Sequence, residues 1–489
     1  MSKKTLKQLL QHIEVLEVVG NLEISITDVS CDSRTVGQGC LFIAVRGVKV
    51  DAHQFLPQVA QAGAAAVVCE EFPQELNENV TYVKVSNSTI ALAHIASAWY
   101  DYPSTKLKLV GVTGTNGKTT IATLLYELAC LMGYKAGLLS TVQNIIDTRK
   151  EPAKQTTPDH LTLNRLLHEM VECGCQYAFM EVSSHACDQH RIDGLQFAGG
   201  IFTNLTRDHI DYHQTVDNYI AAKKKFFDAL NGNAFAVVNI DDKVGKVMVQ
   251  NTSAKKYSYS LRNLADYKCR MIEDRIDGTL LNINGTEINV MFTGRFNAYN
   301  LTAVFAAATL LGWDKEQVLV NMSRLIPVAG RFQTLRSPRG YTAIVDYAHT
   351  PDALVNVLDT ANEVMNGKGT LIAVCGCGGN RDSGKRPIMA REAALRSGKL
   401  ILTSDNPRFE DPDAILRDME AGLPDDKRAS TLIITDRRQA IKTACQLAQA
   451  GDVVIVAGKG HEDYQEIQGV KHHFDDREEI LKIFDSEKQ

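Results

Sequence analysis

The sequence predicts an α/β protein of three domains: a small α/β N-terminal domain, a central parallel-sheet domain of the P-loop ATPase kind, and a C-terminal Rossmann-like domain. Three observations lead there. A chain of 489 residues exceeds what one core ordinarily organises, at roughly 150 residues per domain. The apolar run Leu107-Lys-Leu-Val110 enters a glycine-rich loop and then a helix-spaced apolar series. After Arg331 the chain turns to short apolar runs that end in glycine or acidic loops. The expected spans are 1–101, 102–332 and 333–489.

In the first span, Cys40-Leu-Phe-Ile-Ala-Val45 and the alanine-rich passage ending in Ala64-Ala-Ala-Val-Val-Cys69 read as short strands. Tyr102-Pro-Ser-Thr-Lys106 interrupts regular structure and forms a linker. In the second, Ile121, Leu124, Leu125, Leu128 and Met132 recur at helical spacing, and Gly133 stops the helix. Tyr177-Ala-Phe-Met180 and Ala234-Phe-Ala-Val-Val238 then alternate with helical segments, as a mainly parallel sheet requires. In the third, the strands are Leu371-Ile-Ala-Val374, Leu400-Ile-Leu-Thr403, Leu432-Ile-Ile-Thr435 and Val453-Val-Ile-Val456. Ligands of open parallel sheets bind beyond the strands' carboxyl ends, so the motifs after these runs are the candidate site.

Composition narrows the class. With 44% hydrophobic and 23% charged residues and a net charge of -5, the chain reads as a globular protein without a general affinity for nucleic acid. Polar residues interrupt the N-terminal apolar residues, which argues against a signal peptide, and no segment is apolar enough to span a bilayer. Eleven cysteines are scattered without metal-ligand spacing, which fits a reducing cytoplasm; Cys375-Gly-Cys377 reads as small-residue packing rather than a zinc site.

The loop Gly111-Val-Thr-Gly-Thr-Asn-Gly-Lys-Thr-Thr120 suits phosphate. Its backbone N–H groups and the following helix dipole face an anion, Lys118 adds a cation, and Thr119 offers a hydroxyl to magnesium. Val112 stands where the usual P-loop pattern has its first glycine.

Gly114-Thr-Asn-Gly-Lys-Thr119 resembles the ATP loop of the Mur ligases and the related folylpolyglutamate synthetases. Thr156-Thr-Pro158, Glu181-Val-Ser-Ser-His185, Gln189-His-Arg191, Thr203-Asn-Leu-Thr-Arg-Asp-His209, Gly294-Arg-Phe-Asn-Ala-Tyr-Asn300, Val345-Asp-Tyr-Ala-His-Thr-Pro-Asp352, Asp405-Asn-Pro-Arg408 and Gly458-Lys-Gly-His-Glu462 look like the motifs of the muramoyl-tripeptide synthetase branch. The resemblance spans nearly the whole chain. It implies ATP and Mg2+, with Gly114, Thr115, Asn116, Gly117, Lys118, Thr119, Thr120, Asn297, Asn300, Arg331 and Asp346 on the nucleotide, Asn300 toward adenine and Asp346 toward ribose. Thr119, Glu181 and His209 become metal-site residues.

Lys223 by itself reads as one member of a solvated Lys223-Lys-Lys225 run; the Tyr-x-x-Ala-Lys match implies instead a CO2-derived carbamate, N6-carboxylysine, that holds metal and orients phosphate. Ser33, Thr156, Thr157, Ser183, Gln189 and Arg191 are implied contacts to UDP-N-acetylmuramoyl-L-alanyl-D-glutamate. Arg381, Asp405, Asn406, Pro407, Arg408, Gly458 and Glu462 are implied contacts to meso-diaminopimelate. Gln333 stands where the family commonly has an acidic residue, and neither it nor His213 is assigned a role. The implied reaction is ADP-forming peptide-bond synthesis through an acyl phosphate. The alternatives are the L-lysine-adding enzyme, another ligase of the superfamily, or a nucleotide-regulated binding protein that forms no bond.

Overall fold

The computed structural model describes residues 3–47 and 50–488, so the outermost residues of the 1–101 and 333–489 spans lie outside the described residues. The chain builds three main sheets, each covered on both faces, in a three-domain α/β architecture.

The first sheet has five strands in the order Val15–Val19, Thr81–Val85, Ala66–Cys69, Cys40–Ile43 and Asp28–Ser30. The second has eleven. Its centre is parallel: Ala136–Leu139, Tyr177–Glu181, Lys108–Thr113, Gly199–Phe202, Phe235–Asn239 and Lys255–Ser260 run side by side. Both of its ends are antiparallel, with Gln143–Ile146 and Arg149–Pro152 on one side and a meander of Tyr267–Arg275, Gly278–Ile283 and Thr286–Val290 on the other. The third sheet has six strands ordered Gln333–Arg336, Thr342–Asp346, Val453–Ala457, Leu371–Cys375, Lys399–Leu402 and Thr431–Ile433. Only its Gln333–Arg336 edge pairs antiparallel.

Alternation of side chains explains why these strands are continuous apolar runs. Val110 and Val112 enter the core on one face of the central sheet while Leu109 enters the other. In the third sheet Val453 and Ile455 face one layer, and Val454 and Val456 face the opposite one. A parallel strand buried on both faces has no position for a polar residue. The polar chemistry is therefore displaced to the strand ends.

The expected linker is a short 3-10 turn, Pro103–Thr105, entered through Tyr102 at φ +50°. A second junction lies at Gly330 to Phe332. Gly330 has φ +67° and Phe332 φ +47°, and a Cβ on Gly330 would stand 2.1 Å from His461 N. Gln333 Oε1 accepts the Gly330 amide at 3.0 Å, so this residue fastens the turn that joins the central and C-terminal sheets.

The C-terminal domain contains a buried ion pair. Arg437 Nε and Nη2 donate to Asp476 at 2.8 and 2.7 Å, with both side chains 0% exposed. Asp476→Ala would strand a guanidinium in the core and is expected to lower unfolding free energy by about 3–5 kcal/mol, whereas replacing both partners with apolar residues should cost far less. Denaturant titration of the two variants checks this; equal losses would contradict it.

Candidate active site

Sheet order puts the glycine loop at its position. Lys108–Thr113 lies between Tyr177–Glu181 and Gly199–Phe202, with Glu181 beside Val112 and Phe202 beside Thr113. The three strands end together, so residues 114–117 are flanked by Glu181 on one side and by Thr203 to Thr206 on the other. Thr115 N donates to Asn204 O at 2.8 Å, Asn116 N to Asn204 Oδ1 at 2.9 Å, and Thr203 Oγ1 to Asn116 O at 2.6 Å. Thr115 Oγ1 reaches Thr206 O and the Tyr219 hydroxyl. Glycine is obligatory at two loop positions: Gly114 has φ +145° and an added Cβ would stand 1.9 Å from Thr203 Oγ1, while at Gly117, φ +88°, it would stand 2.6 Å from Asn300 Oδ1. The helix Lys118–Leu131 starts at the end of this loop, with Thr119 and Thr120 buried in its first turn.

Two lysines, Lys118 half-buried and Lys223 buried, converge on the loop. Lys118 Nζ donates to Gly114 O and Thr115 O at 3.0 and 2.8 Å; burial holds its pKa down, against Glu181 and Asp208, which raise it. Lys223 Nζ donates to the same Gly114 carbonyl at 2.9 Å and lies over the Tyr219 ring. It is 1% exposed, which corrects its reading as one of a solvated run. Burial, reinforced by Lys118, depresses its pKa to about 7. Its neighbours behave differently: Lys224 pairs with Asp228 at 2.7 Å and Lys225 with Asp188 at 3.2 Å. A helix turns 100° per residue, so consecutive lysines cannot share an environment.

Glu181 is buried and accepts the Thr141 amide at 2.7 Å. Beside it a polar network joins most of the residues expected at the dipeptide. Thr157 Oγ1 donates to Glu181 O at 2.8 Å and accepts from Ser183 N at 3.1 Å. Thr156 Oγ1 accepts from Thr141 Oγ1. Arg191 donates to Thr157 O at 2.8 Å and to Gln189 Oε1 at 2.6 Å, and Gln189 donates to the Tyr212 hydroxyl. His209 sits nearby at φ +53°, its ring 4.9 Å from that of His185, and burial lowers its pKa. His213 is buried, with Nε2 2.9 Å from Ser184 Oγ, a packing position under the same loop.

Asn297 and Asn300 lie in the first two turns of the helix Arg295–Leu310, where Asn300 Nδ2 donates to Asn297 Oδ1 at 3.3 Å. Arg331 crosses between domains: Nη2 donates to Thr119 Oγ1 at 3.0 Å and the guanidinium stacks on Tyr347 at 4.5 Å. Asp346 accepts the Phe332 and Ala348 amides at 2.6 and 2.7 Å, one on each carboxylate oxygen, and burial raises its pKa. It braces the interdomain turn.

A second centre forms at the carboxyl edge of the third sheet. The residues 405–408 follow the strand Lys399–Leu402, and 458–462 follow Val453–Ala457. They meet so closely that a Cβ on Gly458 would stand 2.5 Å from Asp405 Oδ2. Asn406 Nδ2 donates to Glu462 Oε2 at 2.8 Å. Lys459 and Arg437 hold the Asp405 pKa down despite burial, while burial and Asp405 raise that of Glu462. Pro407 is buried, and Arg408 is held at φ +53° with Nη1 on Gly379 O at 2.7 Å and Nε 3.4 Å from Glu466. The neighbouring acids Glu410 and Asp411 pair with Arg386 and Arg417 and not with Arg408. Arg381 is exposed in the adjoining glycine loop. Ser33 lies in a 3-10 turn, Ser33–Thr35, of the N-terminal domain.

Three family models match the chain: the Mur ligase family catalytic domain over residues 25–100, the Mur ligase middle domain over 112–308, and the Mur ligase glutamate ligase domain over 330–460. A Bacteroides fragilis protein named UDP-N-acetylmuramoyl-L-alanyl-D-glutamate--2,6-diaminopimelate ligase is 58% identical over 479 residues, covering 98% of this chain and 99% of that protein. The chain belongs to the Mur ligase family. A solved 2,6-diaminopimelate ligase of that same name superposes with a TM-score of 0.71 at 34% identity, covering 100% of both chains. A MurF ligase from Thermotoga maritima in complex with ADP shares the fold, with a TM-score of 0.58 at 18% identity over 94% of this chain and 97% of that one.

The Mur ligase chain also brings to these centres residues that its motifs alone did not single out. Lys459 is 0% exposed and stands among Asp405, Asn406 and Glu462. Thr141 and Asn204 hold Glu181 and the phosphate loop. His461, its pKa lowered to about 3 by burial and Arg331, leaves a buried Nδ1 without a partner beside Tyr347. Lys459 and His461 lie within Gly458-Lys-Gly-His-Glu462, of which the resemblance assigns only Gly458 and Glu462. The donor set at the phosphate loop fits magnesium: the Thr119 hydroxyl and the Glu181 carboxylate, whose hydrogen bond to Thr141 occupies one of its oxygens, are hard oxygens of the kind this ion takes. Lys223 fits a cation only once its ammonium has become a carbamate.

Proposed function

We propose that this ligase joins meso-diaminopimelate to the D-glutamate of UDP-N-acetylmuramoyl-L-alanyl-D-glutamate with conversion of ATP to ADP and phosphate, a step of peptidoglycan precursor synthesis in the cytoplasm. The observation that carries the reading is the pairing of two centres across a domain junction. A phosphate loop with Lys118 lies in the central domain, an acid-and-arginine centre lies in the C-terminal one, and Arg331 spans to Thr119 from the turn between them.

In this reading the dipeptide carboxylate attacks the γ-phosphate, forming an acyl phosphate and releasing ADP. The free amine of diaminopimelate then attacks the acyl carbon; the C–N bond forms, phosphate leaves, and the amine proton is lost. Lys118 exchanges its loop carbonyls for phosphate oxygens and neutralises charge that grows there, while Arg331 adds a second cation. Thr119, Glu181 and a carbamylated Lys223 would hold magnesium, which supplies Lewis-acid stabilisation of the phosphate oxygens. Arg191 and Gln189, with Thr156, Thr157 and Ser183, orient the dipeptide, and Ser33 serves the uridine end. Asn297 and Asn300 serve the adenine end. Closure of the domains around both centres excludes water from the acyl phosphate.

Arg408 sets the amino-acid preference. Diaminopimelate differs from lysine by a distal carboxylate, which a guanidinium grips with two parallel charge-assisted bonds. Pro407 and a left-handed backbone hold Arg408 in place. Arg408→Ala is expected to lose about 10³-fold or more in kcat/KM for diaminopimelate with the ATP KM unchanged. Retained preference over L-lysine would reject the assignment. The test of the whole reading is phosphate release from the UDP-linked dipeptide, ATP and magnesium with a panel of amino acids. Diaminopimelate-dependent release supports it; release independent of any amino acid, or driven equally by L-lysine, rejects it.

A further inference from the structure

Lys459 has no contact with solvent, yet the reaction above gives it no role. Its Nζ donates to Asn406 Oδ1 at 2.8 Å and to Tyr464 O at 2.7 Å, and stands 3.5 Å from Asp405 Oδ1 and 3.8 Å from Glu462 Oε2. An ammonium has three protons and no lone pair. The atom of Asn406 that faces it must therefore be the oxygen. Glu466 N donates to the same oxygen at 2.9 Å, so both of its lone pairs are taken. The amide nitrogen is then turned toward Glu462 Oε2 at 2.8 Å, and it keeps one N–H. Asn406 can offer a ligand a donor and nothing else. Charge follows the same logic: Asp405 and Glu462 are two carboxylates around one lysine, and the next cations, Arg437 and Arg408, pair with Asp476 and Glu466, so the cluster keeps one negative unit.

Resting on the diaminopimelate reading, we propose that Lys459 is a positioning residue that sets the polarity of the amino-acid site. Together with Glu466 N it locks the Asn406 amide so that a donor faces a carboxylate of the incoming zwitterion, and by offsetting only one of the two acids beside it, it leaves the other for an ammonium. The complementary pattern is a carboxylate and an ammonium on one carbon, as each end of diaminopimelate carries. Gly379 N donates to Asn406 O at 2.9 Å and Gln465 Nε2 to Asp405 O at 2.7 Å, so the backbone is held independently of Lys459. Loss of the lysine removes one of the two donors that hold Asn406 Oδ1 and the cation that lies between the two acids, without releasing the loop.

The test is a double-mutant cycle of Lys459→Met and Asn406→Ala on the full enzyme, after wild-type diaminopimelate-dependent phosphate release has been established. Absence of that release would defeat the diaminopimelate reading itself. Given release, Lys459→Met is expected to raise the diaminopimelate KM by about 10-fold or more while leaving the ATP and dipeptide KM values unchanged, and to add little further in the Asn406→Ala background. Additive effects, or a uniform fall in kcat with all KM values preserved, would overturn the proposal, since a purely structural lysine has no reason to act through Asn406. If Lys459→Met does not fold, Lys459→Gln, which keeps a donor but no charge, is assayed in its place; a selective rise in the diaminopimelate KM supports the proposal, and a diaminopimelate KM equal to that of the wild type overturns it.

Discussion

Lys118→Ala is expected to form no measurable acyl phosphate, a loss of about 10³-fold or more in turnover. The argument is electrostatic. Phosphoryl transfer gives the protein little covalent work, so the rate rests on positive charge fixed where oxygens gain negative charge. Lys118 is the half-buried first residue of the helix Lys118–Leu131, at the positive end of the helix dipole. Its present partners are the carbonyls of Gly114 and Thr115, which it can exchange for phosphate without moving the backbone. Direct trapping of the acyl phosphate with hydroxylamine, together with ADP formation, measures the step. Undiminished turnover would remove the loop from the chemistry, and a changed unfolding midpoint would point to a structural defect instead.

Lys223→Ala is expected to be nearly inactive, by about 10²-fold or more, with part of the activity restored by a short carboxylic acid that replaces the carbamate. Carbamylation needs a neutral amine: the nitrogen lone pair attacks CO2, the N–C bond forms, and a proton leaves. A solvated lysine is almost wholly protonated at neutral pH, but burial beside Lys118 brings the pKa of Lys223 to about 7, so a large share of the amine is available. Lys224 is the internal control. Its ion pair with Asp228 keeps it outside the site, and Lys224→Ala should leave turnover nearly intact. Full activity of Lys223→Ala, or a defect confined to Lys224→Ala, would show that the wrong lysine carries the role. Mass spectrometry at controlled bicarbonate gives a readout apart from rate.

The sequence by itself determined the strand–loop–helix of the phosphate site. Three things agreed locally there: a run of apolar residues before Gly111, glycines at 114 and 117, and helical spacing from Ile121 to Met132. The parallel strands Leu371–Cys375, Lys399–Leu402 and Val453–Ala457 were equally legible, because burial on both faces makes each an apolar run bounded by polar loops. The antiparallel margins of the central sheet were not. Arg149–Pro152, an edge strand, and Tyr267–Arg275, which opens the meander at the other margin, are rich in polar residues, and their pairing depends on a neighbour, so no local period announces them.

Tertiary structure alone decided the environments. Lys223, Lys224 and Lys225 are chemically identical in the chain, and only the packing of their helix against the phosphate loop buries one and leaves its neighbours to surface pairs. Lys459 was given no role from the sequence; two strands, Lys399–Leu402 and Val453–Ala457, far apart in the chain, bring it against Asn406. Local sequence encodes conformation through steric and hydrogen-bond preferences of near neighbours. A side chain's charge state and partners depend on desolvation and on groups distant in the chain, and these exist only once the domains have packed.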